Sequence, residues 1–356
     1  MSNIIAFIGT YTRTGSRGIY VHRFNTETGE LVPANSIESE NPTFLAIHPN
    51  GQFLYAVNEI SEYNGESAGA ISAYAIDAEA ADLAFINRQS TVGTGPCHLN
   101  IDATGRYAVV ANYGGGSTCM LPIGKDGALG EASDFIQHEG SSVNPQRQQG
   151  PHAHSANISP DNRRVYVADL GLDKVLIFEL DLENGKLLEN DPPSVSVAPG
   201  EGPRHFAFHP GGQYAYLINE IGNTVNAYAY DAETGALTEL QSIATLPGDF
   251  SDTSHTADVH VSSEGKFVYG SNRGHDSVAI FAVDESSGHL TPVDIHSTGG
   301  ETPRNIALSP DGNYLLAENQ SSDTIVSFAI DRETGKLTET RHVAEVLMPV
   351  CLKFLG

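Results

Sequence analysis

Five side chains in this sequence can together move protons and hold negative charge: His154, Arg204, Glu220, Arg273 and Arg304. They lie in the stretches GPHAHSANISPD, GPRHFAFHPGGQYAYLINE, SNRG and TPRNIALSPDGNYLLAENQ. An imidazole with an ordinary pKa of about 6.5 exchanges protons near neutrality. A carboxylate takes a proton or orients a hydroxyl, and guanidinium forks hold carboxylates, phosphates or a developing oxyanion. That set suits proton transfer beside a bound anionic ligand. It works only if the fold brings the five together from distant parts of the chain.

The chain repeats itself, and the repeat supplies a common register. NPTFLAIHPNGQFLYAVNE closely resembles GPRHFAFHPGGQYAYLINE and TPRNIALSPDGNYLLAENQ, yet only one copy carries the pair Arg204 and Glu220. Each copy has an Asn or Asp that ends a strand: Asn58, Asn112, Asp169, Asn219, Asn272 and Asn319. Aligned there, Pro42, Pro96, Ala153, Pro203, Thr256 and Pro303 fall in one column, and Pro349 fits the tail. Such a Pro starts a strand and such an Asn ends one, so both columns read as architecture.

The columns beside them do not repeat. After the Pro position come Thr43, Cys97, His154, Arg204, Ala257, Arg304 and Val350. After the Asn position come Glu59, Tyr113, Leu170, Glu220, Arg273 and Gln320. In an antiparallel pair the start of one strand lies beside the end of the next, so both columns are expected at one end of the molecule. His154, Arg204, Glu220 and Arg273 are the candidate catalytic set. His152, Arg304, Tyr113 and Glu59 are the candidate substrate contacts.

A second motif counts the repeats. FNTETGEL, IDAEAADL, IGKDGAL, LDLENGKL, YDAETGAL, VDESSGHL and IDRETGKL end at Leu31, Leu83, Leu129, Leu187, Leu237, Leu290 and Leu337, a period of about 50 residues. Each reads as a hairpin turn opened by Asp or Asn or closed by a left-handed Gly. The second copy has no Gly, so its turn is expected to differ. Alternating runs such as HFAFH, YAYLIN and TVNAYAY read as strands, four per repeat, the pattern of a propeller blade. MPVCLKFLG at the C-terminus resembles the opening of a repeat, and NIIAFIGTYT at the N-terminus supplies its continuation. The expected fold is all-β: one seven-bladed propeller domain over residues 1–356, with antiparallel four-stranded blades and the ring closed by N- and C-terminal strands in one blade.

Composition narrows the function. The net charge is −25, from 44 acidic and 19 basic residues, which opposes nucleic-acid binding and makes each clustered Arg informative. No long apolar run suggests a membrane span, and the N-terminus reads as a strand rather than a signal peptide. Three isolated cysteines, Cys97, Cys119 and Cys351, fit neither a disulfide framework nor a zinc site and suit a reducing cytoplasm. The HxH of His152 and His154 lacks a convincing third metal ligand. ANYGGGST is Gly-rich without the pattern of a phosphate loop. The expected protein is cytoplasmic, needs no metal or cofactor, and is a monomer or weak homodimer.

These residues carry a resemblance. GTYT…GIY, NPTFLAIHPNGQFLYAVNE, GPHAHSANISPD, GPRHFAFHPGGQYAYLINE and SNRGHDSVAIF resemble the seven-bladed propeller lactonases, a family that includes 6-phosphogluconolactonases and the fungal carboxy-cis,cis-muconate cyclase. The resemblance places that family's proposed active-site residues on His154, Arg204, Glu220 and Arg273, with His152 adjacent. It implies metal-independent hydrolysis of a small anionic sugar lactone, first of all 6-phosphogluconolactone, in the pentose phosphate pathway. Lactonisation of a carboxymuconate uses the same anion-holding groups, and a non-enzymatic binding scaffold is the third reading.

Overall fold

In the computed structural model, which describes residues 3–356, the alternating runs form seven four-stranded antiparallel sheets. Six are made of consecutive strands. The seventh joins Pro349–Phe354 to Asn3–Thr10, Gly18–Asn25 and Leu31–Glu38, so the last strand of the chain pairs with the first. This pairing covers the edge that Asn3–Thr10 would otherwise leave open. Blades are numbered here from the sheet of Leu45–Ile47 as blade one to this terminal sheet as blade seven.

Strand position sets residue type. Tyr214–Asn219 (YAYLIN), second in blade four, is buried along nearly its whole length because it is sandwiched between neighbouring blades. Leu237–Ala244 (LTELQSIA), outermost in that blade, alternates toward solvent. The core is a series of seams. Tyr166, Ala168 and Ile177 of blade three pack on Phe206, Leu217 and Tyr228 of blade four, and comparable clusters follow around the ring. Tyrosines clasp the seams: the Tyr55, Tyr166, Tyr216 and Tyr269 hydroxyls donate to the Gly127, Gly235, Gly288 and Gly335 carbonyls of the next blade.

The Pro and Asn columns behave as architecture. Pro96, Pro203, Pro303 and Pro349 each start the innermost strand of a blade. Asn112, Asn272 and Asn319 donate to the carbonyls of Thr91, Thr245 and Thr298 on the chain entering the blade. One expectation is corrected. The turn at Asp77–Leu83 keeps the same form although it lacks Gly: Ala81 itself adopts φ 54°, beside Gly29, Gly127 and Gly235 at 78°, 80° and 79°. The Asp77 carboxylate caps the amides of Glu79 and Ala80, as the Asp231 carboxylate does in its own turn, so the Asx turn fixes the shape without Gly. Among the described residues no helix is long and apolar enough to cross a membrane.

Candidate active site

The strand alternation breaks at the start of the innermost strand in several blades, and His154, Arg204 and Arg304 sit at such breaks. In blade four Pro203 pairs with Asn219 and His205 with Ile218, leaving Arg204 as the extra residue of a β-bulge. The same irregularity isolates His154 in blade three, Cys97 in blade two and Arg304 in blade six. A bulge re-aims a side chain, here toward the central axis at one mouth of the ring. The partner column arrives at the end of the adjacent strand, with Arg273 its last residue and Glu220 the residue just past it, and brings both to the same place.

Glu220 is the hub. It is 5% exposed. Its Oε2 lies 3.0 Å from Arg204 Nε and 2.9 Å from Arg273 Nη2, and its Oε1 lies 2.6 Å from Arg147 Nη2. His154 Nε2 stands 3.7 Å from Oε2, an approach longer than a hydrogen bond. The guanidiniums are held in turn by backbone: Arg204 donates to the Ala257 carbonyl and Arg273 to the Thr256 carbonyl at 2.8 Å.

The charges set the protonation states. Burial alone would raise the Glu220 carboxyl, but Arg273, Arg204 and Arg147 hold it well below the usual carboxylate range. His154 is also lowered: burial, then Arg204, pushes it well below its ordinary value despite Glu220. His154 is therefore neutral at pH 7, and its contact with Glu220 is not an ion pair. Burial, with Arg273 and Arg304 beside it, draws Arg204 down to about 9, so it remains a cation.

A second group forms the opposite wall. Arg304 lies over the Tyr11 ring at 5.6 Å, and Arg13 lies over the same ring at 4.3 Å. The Tyr11 hydroxyl donates to Glu59 at 2.9 Å, and Thr43 Oγ1 donates to Glu59 Oε2 at 2.7 Å. Tyr113 stacks on His152 at 4.6 Å, meets His154 edge-on at 5.2 Å, and accepts a hydrogen bond from Arg147 at 3.2 Å. His152 thus packs beside the mouth while His154 faces Glu220. Among the described residues no group of three or more His, Cys, Asp or Glu is placed to hold a metal ion.

The family model for the seven-bladed β-propeller lactonases matches residues 5–354. The chain belongs to this lactonase family. It is 38% identical to the 6-phosphogluconolactonase of Bacillus subtilis, over 100% of this chain and 99% of that protein. It is 37% identical to the 6-phosphogluconolactonase of Formosa agariphila, over 85% of each. The structure of a periplasmic gluconolactonase from Pseudomonas aeruginosa superposes with a TM-score of 0.95 at 34% identity, covering 100% of this chain and 99% of that one.

Within this lactonase, all eight residues singled out from sequence lie around the one mouth: four in the Glu220 cluster, the others on its flanks. Two neighbours escaped the register argument. Arg147 belongs to the insertion before His152 and matches no column. Tyr11 does match one: Thr10 pairs with Pro349, so Tyr11 is the seventh member of the column that holds Glu59, Tyr113, Glu220 and Arg273. Completing that column through the divided blade would have found it.

Proposed function

We propose that this protein hydrolyses 6-phosphogluconolactone to 6-phosphogluconate, with His154 as general base and no metal in the chemical step. The observation that carries this reading is the Glu220 cluster. One ionised carboxylate holds three guanidiniums beside a neutral histidine, in a chain of net charge −25. Such a pocket concentrates positive charge where an anionic lactone would bind, and two relatives across most of the chain are named 6-phosphogluconolactonase.

In this mechanism His154 Nε2 removes a proton from water as the water oxygen attacks the lactone carbonyl. Arg273 and Arg204 stabilise the oxyanion, a task that pre-positioned donors perform best in a dry site. When the tetrahedral intermediate collapses, the ring C–O bond breaks and the proton on His154 passes to the departing oxygen. Glu220 is a poor base because its guanidiniums hold its pKa so low. Its role is to fix Arg273 and Arg204 and to accept a substrate hydroxyl. A bound anion offsets the arginine charges that depress His154 and makes it a better base only once substrate is present.

The test is acid release from freshly generated 6-phosphogluconolactone with EDTA present. The reading requires a rate far above spontaneous hydrolysis that EDTA leaves unchanged. A rate equal to the spontaneous one would remove this substrate, and a lactonising activity on a carboxymuconate would be assayed next.

A further inference from the structure

The arginines at the mouth fall into two kinds. Arg147, Arg204 and Arg273 each hold Glu220. Arg304 holds nothing: no carboxylate lies within ion-pair distance and none of its N–H groups finds an acceptor among the described residues; its one close contact is the Tyr11 ring at 5.6 Å. Arg13 is likewise without an acceptor, and its guanidinium lies on the same ring at 4.3 Å. Two cations thus share one aromatic platform with no anion to separate them. The nearest carboxylate, Glu59, is occupied by the hydroxyls of Tyr11 and Thr43, which fix the ring in place. A planar guanidinium with a free fork is the side chain best matched to two oxygens of a phosphate.

We propose that Arg304 and Arg13, mounted on Tyr11, form a phosphate subsite separate from the Glu220 cluster. This rests on the lactonase reading above and divides the mouth into two jobs. The Glu220 side takes the lactone carbonyl. The Tyr11 side takes the phosphate monoester at the far end of the sugar. Arg304 is the inner, partly buried contact, and Arg13, exposed on the segment after Asn3–Thr10, closes over the phosphate from outside. The two sides are electrostatically close: Arg304 is among the charges that lower His154, Arg204 and Arg273. A phosphate on Arg304 therefore also relieves His154, coupling recognition of the phosphate to the strength of the base.

The experiment compares kcat/KM for 6-phosphogluconolactone and for unphosphorylated glucono-1,5-lactone in wild type, Arg304→Gln, Arg304→Lys and Arg13→Ala. One charge-assisted pair corresponds to about a 10- to 100-fold effect. Arg304→Gln should lower the phosphorylated-to-unphosphorylated ratio by that factor, mainly through KM, with Arg304→Lys in between. Arg13→Ala, at an exposed position that does not threaten folding, should lower it about threefold to fivefold. Equal losses on both lactones, or a ratio within twofold of wild type, would overturn the subsite. Should wild type itself fail to exceed spontaneous hydrolysis, the functional reading falls, and inorganic phosphate judges the subsite alone. Millimolar phosphate should raise the melting temperature of wild type and not of Arg304→Gln or Arg13→Ala. No shift in wild type, or the same shift in all three, counts against it.

Discussion

His154 and Glu220 face each other at 3.7 Å, and the surrounding arginines lower the pKa of both, which leaves the carboxylate ionised and the imidazole neutral. That gives a signed prediction for pH. The working form of His154 is neutral, and its pKa lies well below 6.5 in the free protein. Hence kcat/KM should stay level from pH 8 to about 6.5 and fall only in more acidic buffer. In kcat, where bound substrate screens the arginines, the acid limb should move to higher pH. A kcat/KM limb centred near or above pH 7 would mean that another group, or a normal histidine, is the base. Glu220→Gln keeps the shape and removes the charge that gathers Arg147, Arg204 and Arg273. It should reduce kcat/KM by about 100-fold or more, whereas loss of a mere surface ion pair would leave rates within a few fold.

At the scale of elements, the bulge and the hairpin turn explain which parts of the site the sequence discloses. The Pro and Asn columns were legible because they repeat, and the residues next to them were legible because they do not. The bulge that turns Arg204, His154 and Arg304 toward the axis was hidden, since an alternating pattern gives no sign of one extra residue. Arg147 was hidden for another reason. It sits in an insertion held by its own contacts, where Gln148 donates to the Leu170 carbonyl at 2.8 Å, so no other copy offers a register for it. The turns allow a quantitative test. A Cβ on Gly127, at φ 80°, would collide with the Phe53 ring. Ala81 occupies the matching position against blade seven, where the register puts Ile5 in place of that aromatic, within the same apolar cluster. Gly127→Ala should therefore cost roughly 2 kcal/mol or more. Ala81→Gly should change stability little, because about 1 kcal/mol of relieved left-handed strain offsets about 0.8 kcal/mol of lost methyl burial. Similar melting temperatures for the two variants would contradict this account of the turns.

For the whole molecule, the question is how the ring tolerates charge inside it. Glu318 in blade six is fully buried, and neither carboxylate oxygen has a partner on another residue among those described. Burial, then Asp258, raises its pKa well above the usual value, so it prefers to be protonated. The native state thus holds this proton more tightly than the unfolded chain does. Its contribution is intact below the unfolded pKa and is lost as pH rises toward the folded one. Glu318→Gln should melt at nearly the wild-type temperature at pH 4 and increasingly above it from pH 5 to 8. An advantage that does not change with pH would show that Glu318 is not protonated as described. Asp258, joined to His205 at 2.6 Å and His260 at 3.1 Å, titrates in the opposite sense, so the comparison must be made between the variant and wild type at each pH. The ring as a whole was the most legible feature, because seven turn motifs and a divided blade leave little freedom of topology.

The most direct test of the central claim is the rate of acid release from 6-phosphogluconolactone by wild type and by His154→Gln, measured at pH 7 with EDTA present and folding verified by melting temperature. Removal of a positioned base is expected to cost about 10²–10⁴-fold. The account predicts rapid turnover by wild type and a loss of that size in a folded variant. Wild-type turnover that survives the substitution within a few fold would place the chemistry elsewhere than at this mouth.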